Sequence, residues 1–118
     1  MFARLMVNIV LGVCCWIPVL CLAQTYSVKS SQDPNTIVIK NHKFEPAQLT
    51  IPAGQKIKLI VDNQDLTAEE FESYELNREK VVSGSKKIII YLGPLKPGSY
   101  KYFGDFNPKT AQGTIVAQ

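Results

Sequence analysis

Lys87-Ile88-Ile89-Ile90-Tyr91-Leu92, then Gly93-Pro94-Leu95-Lys96-Pro97-Gly98, then Ser99-Tyr100-Lys101-Tyr102-Phe103 is the stretch that decides the fold. The first run is β-branched and aromatic, too short for a buried helix, and bounded by turn residues. The second holds two glycines and two prolines and must bend. The third alternates polar and aromatic residues at the two-residue period of a strand. The loop Gly104–Gln112 and a last strand, Gly113-Thr114-Ile115-Val116, follow.

Upstream, the same grammar repeats. Thr36-Ile37-Val38-Ile39-Lys40 reads as a strand, Asn41-His42-Lys43 as a turn, and Phe44-Glu45-Pro46 as the lead into Leu49-Thr50-Ile51. Pro52-Ala53-Gly54 is a tight turn. Lys56-Ile57-Lys58-Leu59-Ile60-Val61 begins as an alternating strand and ends as an apolar one. Thr67-Ala68-Glu69-Glu70 is expected to form a turn of helix capped by Thr67. Phe71–Leu76 alternates with mixed faces, and Lys80-Val81-Val82 precedes a Ser83-Gly84 turn. Val61 and Ile89 are expected in the core. About eight short strands with no long helix predict an all-β, antiparallel Greek-key β-sandwich.

The chain has 118 residues and a formal charge of +3. Its N-terminus carries Arg4, the apolar run Leu5–Leu22 with the single polar residue Asn8, and Cys21-Leu22-Ala23. This pattern predicts a signal peptide over residues 1–23 with cleavage before Gln24, and hence a periplasmic protein. An uncleaved anchor on the outer face of the cytoplasmic membrane, or a lipoprotein at Leu11-Gly12-Val13-Cys14, are the competing readings. Residues 24–35 are a polar tether, and 36–118 form the folded domain. All three cysteines, Cys14, Cys15 and Cys21, lie in the leading segment. Its removal leaves no disulfide, no thiolate ligand and no thiol nucleophile. Lys86-Lys87 is the longest basic run of the domain, which argues against nucleic acid as a partner.

Three stretches resemble the cupredoxin-like family, and among its members the small periplasmic type related to the cupredoxin domain of EfeO iron-uptake proteins. They are Phe44-x-Pro46-x-x-Leu49-Thr50-Ile51-x-Ala53-Gly54, then Leu59-Ile60-Val61-Asp62-Asn63 with Phe71-Glu72, then Leu95-x-Pro97-Gly98-Ser99-Tyr100-x-Tyr102-Phe103 with Gly113-Thr114-Ile115-Val116. The resemblance implies a cupredoxin-like sandwich and a metal-handling role, with iron or copper as the ion and a membrane iron permease or another envelope protein as partner. A fold that has lost its metal site and serves as a protein-interaction module, binding no ion, is the alternative.

Blue-copper members place a His after the Asn63-like turn, a Cys at the end of the Tyr100–Phe103 strand, a second His a few residues on, and a Met before the final Gly. Laid on those positions, this sequence offers Glu70 or Glu72, then Phe103, Asn107 and Ala111. Type 1 copper requires a thiolate and two imidazoles. The chain has one histidine, His42, and no cysteine after residue 21, so that centre is excluded.

Carboxylates are the remaining ligand chemistry, and they suit hard cations. Glu69, Glu70 and Glu72 cluster, with Glu75, Glu79 and Asp105 nearby in the pattern. The resemblance implies a carboxylate ligand at Glu72 and a further one at Glu79. The expected ligands are Glu72, Asp105, Glu70 and His42, in that order. His42 reads first as an exposed turn residue between Lys40 and Lys43. Asp105 and Asn107 also suit turn chemistry. No nucleophile–base set and no phosphate loop is present, so an enzyme is not expected.

Overall fold

The computed structural model describes residues 32–118. The predicted signal peptide, 1–23, and residues 24–31 of the tether lie outside the described residues. The described chain is all-β. Its strands are β1 (Thr36–Lys40), β2 (Lys43–Glu45), β3 (Gln48–Ile51), β4 (Ile57–Asn63), β5 (Glu69–Ser73), β6 (Arg78–Val82), β7 (Lys87–Leu92), β8 (Gly98–Gly104) and β9 (Gln112–Ala117). They form two sheets, ordered β2-β1-β4-β7 and β3-β9-β8-β5-β6.

The count is nine because Lys43–Glu45 pairs with β1 as a strand of its own. The sheets are mixed: β1 runs parallel to β4, and β3 parallel to β9. These two pairs join strands remote in sequence, and the remaining ladders are antiparallel.

Burial follows the two-residue period. In β4, Ile57, Leu59 and Val61 face the core, Lys58 faces out, and Asp62 and Asn63 are buried at the end of the strand. In β7 the phase differs from expectation. Ile90 and Leu92 are buried at 2% and 1% exposure, whereas Ile89 is 46% exposed. Three consecutive isoleucines carry no alternation, so only the pairing with β4, Leu59 opposite Ile90, sets which one turns inward. No helix forms at Thr67–Glu70: β5 begins at Glu69, because the Glu69–Ser73 backbone pairs with β6 and, in part, with β8.

Phe44, Phe71 and Tyr102 join the two sheets. The Tyr102 ring lies 5.0 Å from each of the other two, edge-on to Phe44 and stacked on Phe71. Burial pushes the Tyr102 phenol pKa far up, and a β-carbon at Gly113 would come within 2.2 Å of its ring. Of the other aromatic residues, Tyr74, Tyr91 and Phe106 are exposed.

Candidate functional site

The parallel pairing of β1 with β4 places the Asn41-His42 turn and the 64–68 loop at one end of the sandwich. The start of β5 and the end of β8 reach the same end, since Phe71 pairs with Gly104. Asn63 shapes the loop from inside. Its Nδ2 donates to the carbonyls of Thr67 at 2.8 Å and Val82 at 3.2 Å, and its Oδ1 accepts from the Asp65 amide at 3.0 Å.

Glu69 follows this loop and is 1% exposed. Its Oε1 accepts from the backbone N–H of Glu70 and of Phe106, both at 2.9 Å, and its Oε2 accepts from Asn107 Nδ2 at 2.7 Å. A buried carboxylate is tolerated where donors surround it, as here. A β-carbon at Gly104 would lie 2.6 Å from both Glu69 Cδ and Ala111 Cβ. Glu69, Gly104, Asn107 and Ala111 therefore converge at one buried point.

The sequence alignment is corrected here in two places. Tyr102 is buried, so strand alternation sends Phe103 outward, where its ring lies 5.4 Å from Tyr74. Gly104, not Phe103, takes the inward place at the end of β8. In the same way Glu69, in phase with buried Phe71 and Ser73, turns inward, and Glu70 and Glu72 turn outward.

On the outer face, Glu72 lies directly opposite Glu79 of β6 and opposite Phe103 of β8. Glu70 lies opposite Val81, and its carbonyl accepts from the Asp105 amide at 3.0 Å. The contact with the Glu79 carboxyl, helped by desolvation and by the charges of Glu79, Asp105 and Glu72, holds the Glu70 pKa above its usual value. The Glu72 charge similarly raises the Tyr74 phenol. Among the described residues the ion pairs are His42–Asp65 and Lys87–Asp62, and neither neutralises these carboxylates. Arg78 is near, but its guanidinium donates to the carbonyls of Tyr91, Leu76 and Asn77.

A cleft of about 280 Å³ lined by Glu72, Ser73, Tyr74, Asn77, Arg78 and Glu79 opens beside the acidic group. A larger hollow of about 590 Å³, with Lys101, Phe103 and Gln112 in its wall, carries no carboxylate. Among the described residues, no three His, Cys, Asp or Glu side chains are already arranged to enclose an ion.

His42 stands apart from the acidic face. It and Asn41 both have positive φ, as a two-residue hairpin turn requires. The Asp65 carboxylate accepts their N–H groups at 2.9 Å and 2.7 Å, and these bonds, that of His42 foremost, lower its pKa. The His42 ring Nδ1 lies 3.7 Å from Asp65. Sequence reasoning gave Glu69 no role apart from its neighbours. Its signal was present in the phase it shares with Phe71, but the expected helical turn hid that phase.

The family model of the cupredoxin-like domain matches residues 11–117. The chain belongs to the cupredoxin-like domain family. An uncharacterized protein of Rickettsia prowazekii (strain Madrid E) is 54% identical over 80 residues, which is 68% of this chain; the match spans 64% of that relative's own length. Among solved structures, auracyanin A, a "blue" copper protein from Chloroflexus aurantiacus, superposes with a TM-score of 0.61 at 14% identity, covering 70% of this chain and 96% of the other. Amicyanin from Paracoccus versutus gives 0.58 at 18% identity, covering 73% and 82%. A purple cupredoxin from Nitrosopumilus maritimus gives 0.57 at 19%, covering 70% and 98%. These likenesses establish a shared cupredoxin fold.

The cupredoxin-like domain here does not fit a type 1 copper ion. The convergent positions carry a carboxylate, no side chain, an amide and a methyl group, with no thiolate and no imidazole. Each Glu69 oxygen is already hydrogen bonded, and no buried side-chain nitrogen or oxygen among the described residues lacks a partner.

Proposed function

We propose that this cupredoxin-like protein is an exported accessory of metal handling, of the EfeO-related type. It holds a hard cation such as iron through the outward carboxylates Glu70, Glu72, Glu79 and Asp105, and works beside a membrane iron permease or another envelope protein. It is not an enzyme and not a blue-copper electron carrier. The observation that carries this reading is the gathering of four carboxylates on one face, none of them in an ion pair among the described residues. Like charges directly opposite across a ladder destabilise a sheet. A bound cation removes that repulsion, and oxygen donors of this kind suit a hard ion.

Calorimetric titration of the chain starting at Gln24 with Fe(III)-citrate, Mn(II) and Cu(II) tests it, beside Glu72→Gln and Asp105→Asn. Each substitution is expected to weaken binding about tenfold, the loss of one charged ligand. Protons compete for the same oxygens. Because the Glu70 pKa is raised, this competition begins at a higher pH than at an isolated glutamate, and binding fades on acidification. Binding unchanged in both variants, or lost only in His42→Ala, would overturn the placement. N-terminal sequencing of envelope protein checks export, with Gln24 expected first.

The closed interior favours a second reading, an interaction module that binds no ion. Exposed Leu66, Tyr74 and Phe106 support it. No binding of any cation in the titration is its expected result.

A further inference from the structure

At the end of the sandwich where Gly104, Asn107 and Ala111 meet, this chain carries a buried carboxylate with three donors. Two of those donors, the Glu70 amide in β5 and the Phe106 amide in the loop after β8, share one oxygen, Glu69 Oε1. The third, Asn107, lies in the loop after β8 and takes Oε2. Gly104 and Ala111 are small enough to let the carboxylate sit between them, and a β-carbon at 104 would displace it.

We propose that Glu69 is a positioning residue that replaces a metal ion as the tie between the β4–β5 and β8–β9 loops. The tie also sets the separation of Glu70 and Asp105. An ion at a loop end holds several chain segments by accepting electron pairs from them. A carboxylate holds the same segments by accepting their hydrogens, and it needs N–H groups and an amide where an ion needs lone pairs. Asn107 supplies such a donor through Nδ2. The Glu70 and Phe106 amides flank the outward carboxylates on either side of the tie, Glu70 itself and Asp105. Freeing those amides would let the two carboxylates separate. This last step rests on the cation reading above; the tie itself does not.

Site-resolved amide hydrogen exchange on the chain starting at Gln24 tests the tie, with Glu69→Leu against Glu69→Gln. The leucine variant leaves three donors without an acceptor. Exchange of the Glu70 and Phe106 amides is expected to rise about tenfold or more relative to the Leu59 and Ile90 amides of the central ladder. The glutamine variant retains Oε1, and Asn107 can turn its amide to present Oδ1 to the new carboxamide. Exchange should then stay within about threefold of wild type. A merely bulky core residue would show the opposite order, because leucine packs better than a buried amide. If Glu69→Leu fails to fold, Asn107→Leu, which removes one donor only, repeats the comparison.

Mn(II) titration of the same variants separates the two claims. Affinity lost in Glu69→Leu and kept in Glu69→Gln supports the positioning role. A wild-type protein that binds none of Fe(III), Mn(II) and Cu(II) but shows the expected exchange pattern supports the tie and removes the cation reading. Unchanged Glu70 and Phe106 exchange in Glu69→Leu overturns the tie. So does a melting temperature raised by Cu(II) or Zn(II) in wild type but not in Glu69→Gln, because Glu69 would then be a ligand.

Discussion

Gly104 shows how one missing side chain closes a centre. Its φ is not in the left-handed region, so the constraint is space: a β-carbon would meet Glu69 and Ala111 at 2.6 Å. Gly104→Ala is expected to cost about 1–3 kcal/mol in chemical denaturation, as overpacking of a filled interior does. A change near zero would mean that Glu69 moves aside freely and that the site is looser than its hydrogen bonds indicate. Reading residue types alone found the carboxylates. It could not separate Glu69 from Glu70 and Glu72, because one residue of register decides whether a glutamate points into the sandwich or out of it.

At the scale of the element, β7 and the β1–β2 turn behave differently. The run Ile88-Ile89-Ile90 identified a strand but carried no phase, and the ladder with β4 supplied it. Ile90→Ala is expected to destabilise by about 2–5 kcal/mol, and Ile89→Ala by well under about 1 kcal/mol. Comparable losses at both positions would contradict the observed facing of β7. Val61→Ala, at a fully buried position that the sequence pattern placed in the core, should behave like Ile90→Ala in direction.

The turn is held by Asp65, whose pKa is lowered by the N–H of His42 and, with it, that of Asn41. A depressed carboxylate contributes stability above its unfolded value of 3.8, and this is lost as pH falls through the lower folded value. Asp65→Asn should therefore lower the melting temperature at about pH 7, and the difference should shrink in acid, below 3.8, as pH falls through the lower folded value and wild-type Asp65 takes up its proton. An equal deficit at both pH values would assign the effect to the shape of the side chain and not to its charge.

On the scale of the whole molecule, the family fold persists without the donor set of its blue-copper relatives. Cu(II) added to the chain starting at Gln24 is expected to give no intense visible absorption, since no cysteine follows residue 21 and that chain has no thiolate for a charge-transfer transition. An intense band in the visible would overturn the assignment of the Glu69 centre as closed. The amino-acid sequence by itself determined the all-β class, the strand-rich closing segment, the family and the absence of cysteine and methionine after residue 21. These depend on local period, turn residues and composition, which a linear chain displays. The tertiary structure alone decided that Glu69 and Gly104, rather than Glu70 or Glu72 and Phe103, meet Asn107 and Ala111. It also decided that Glu70, Glu72, Glu79 and Asp105 share an outer face. Those facts depend on the register between strands far apart in the chain, and a shift of one residue exchanges the buried and exposed faces of a strand.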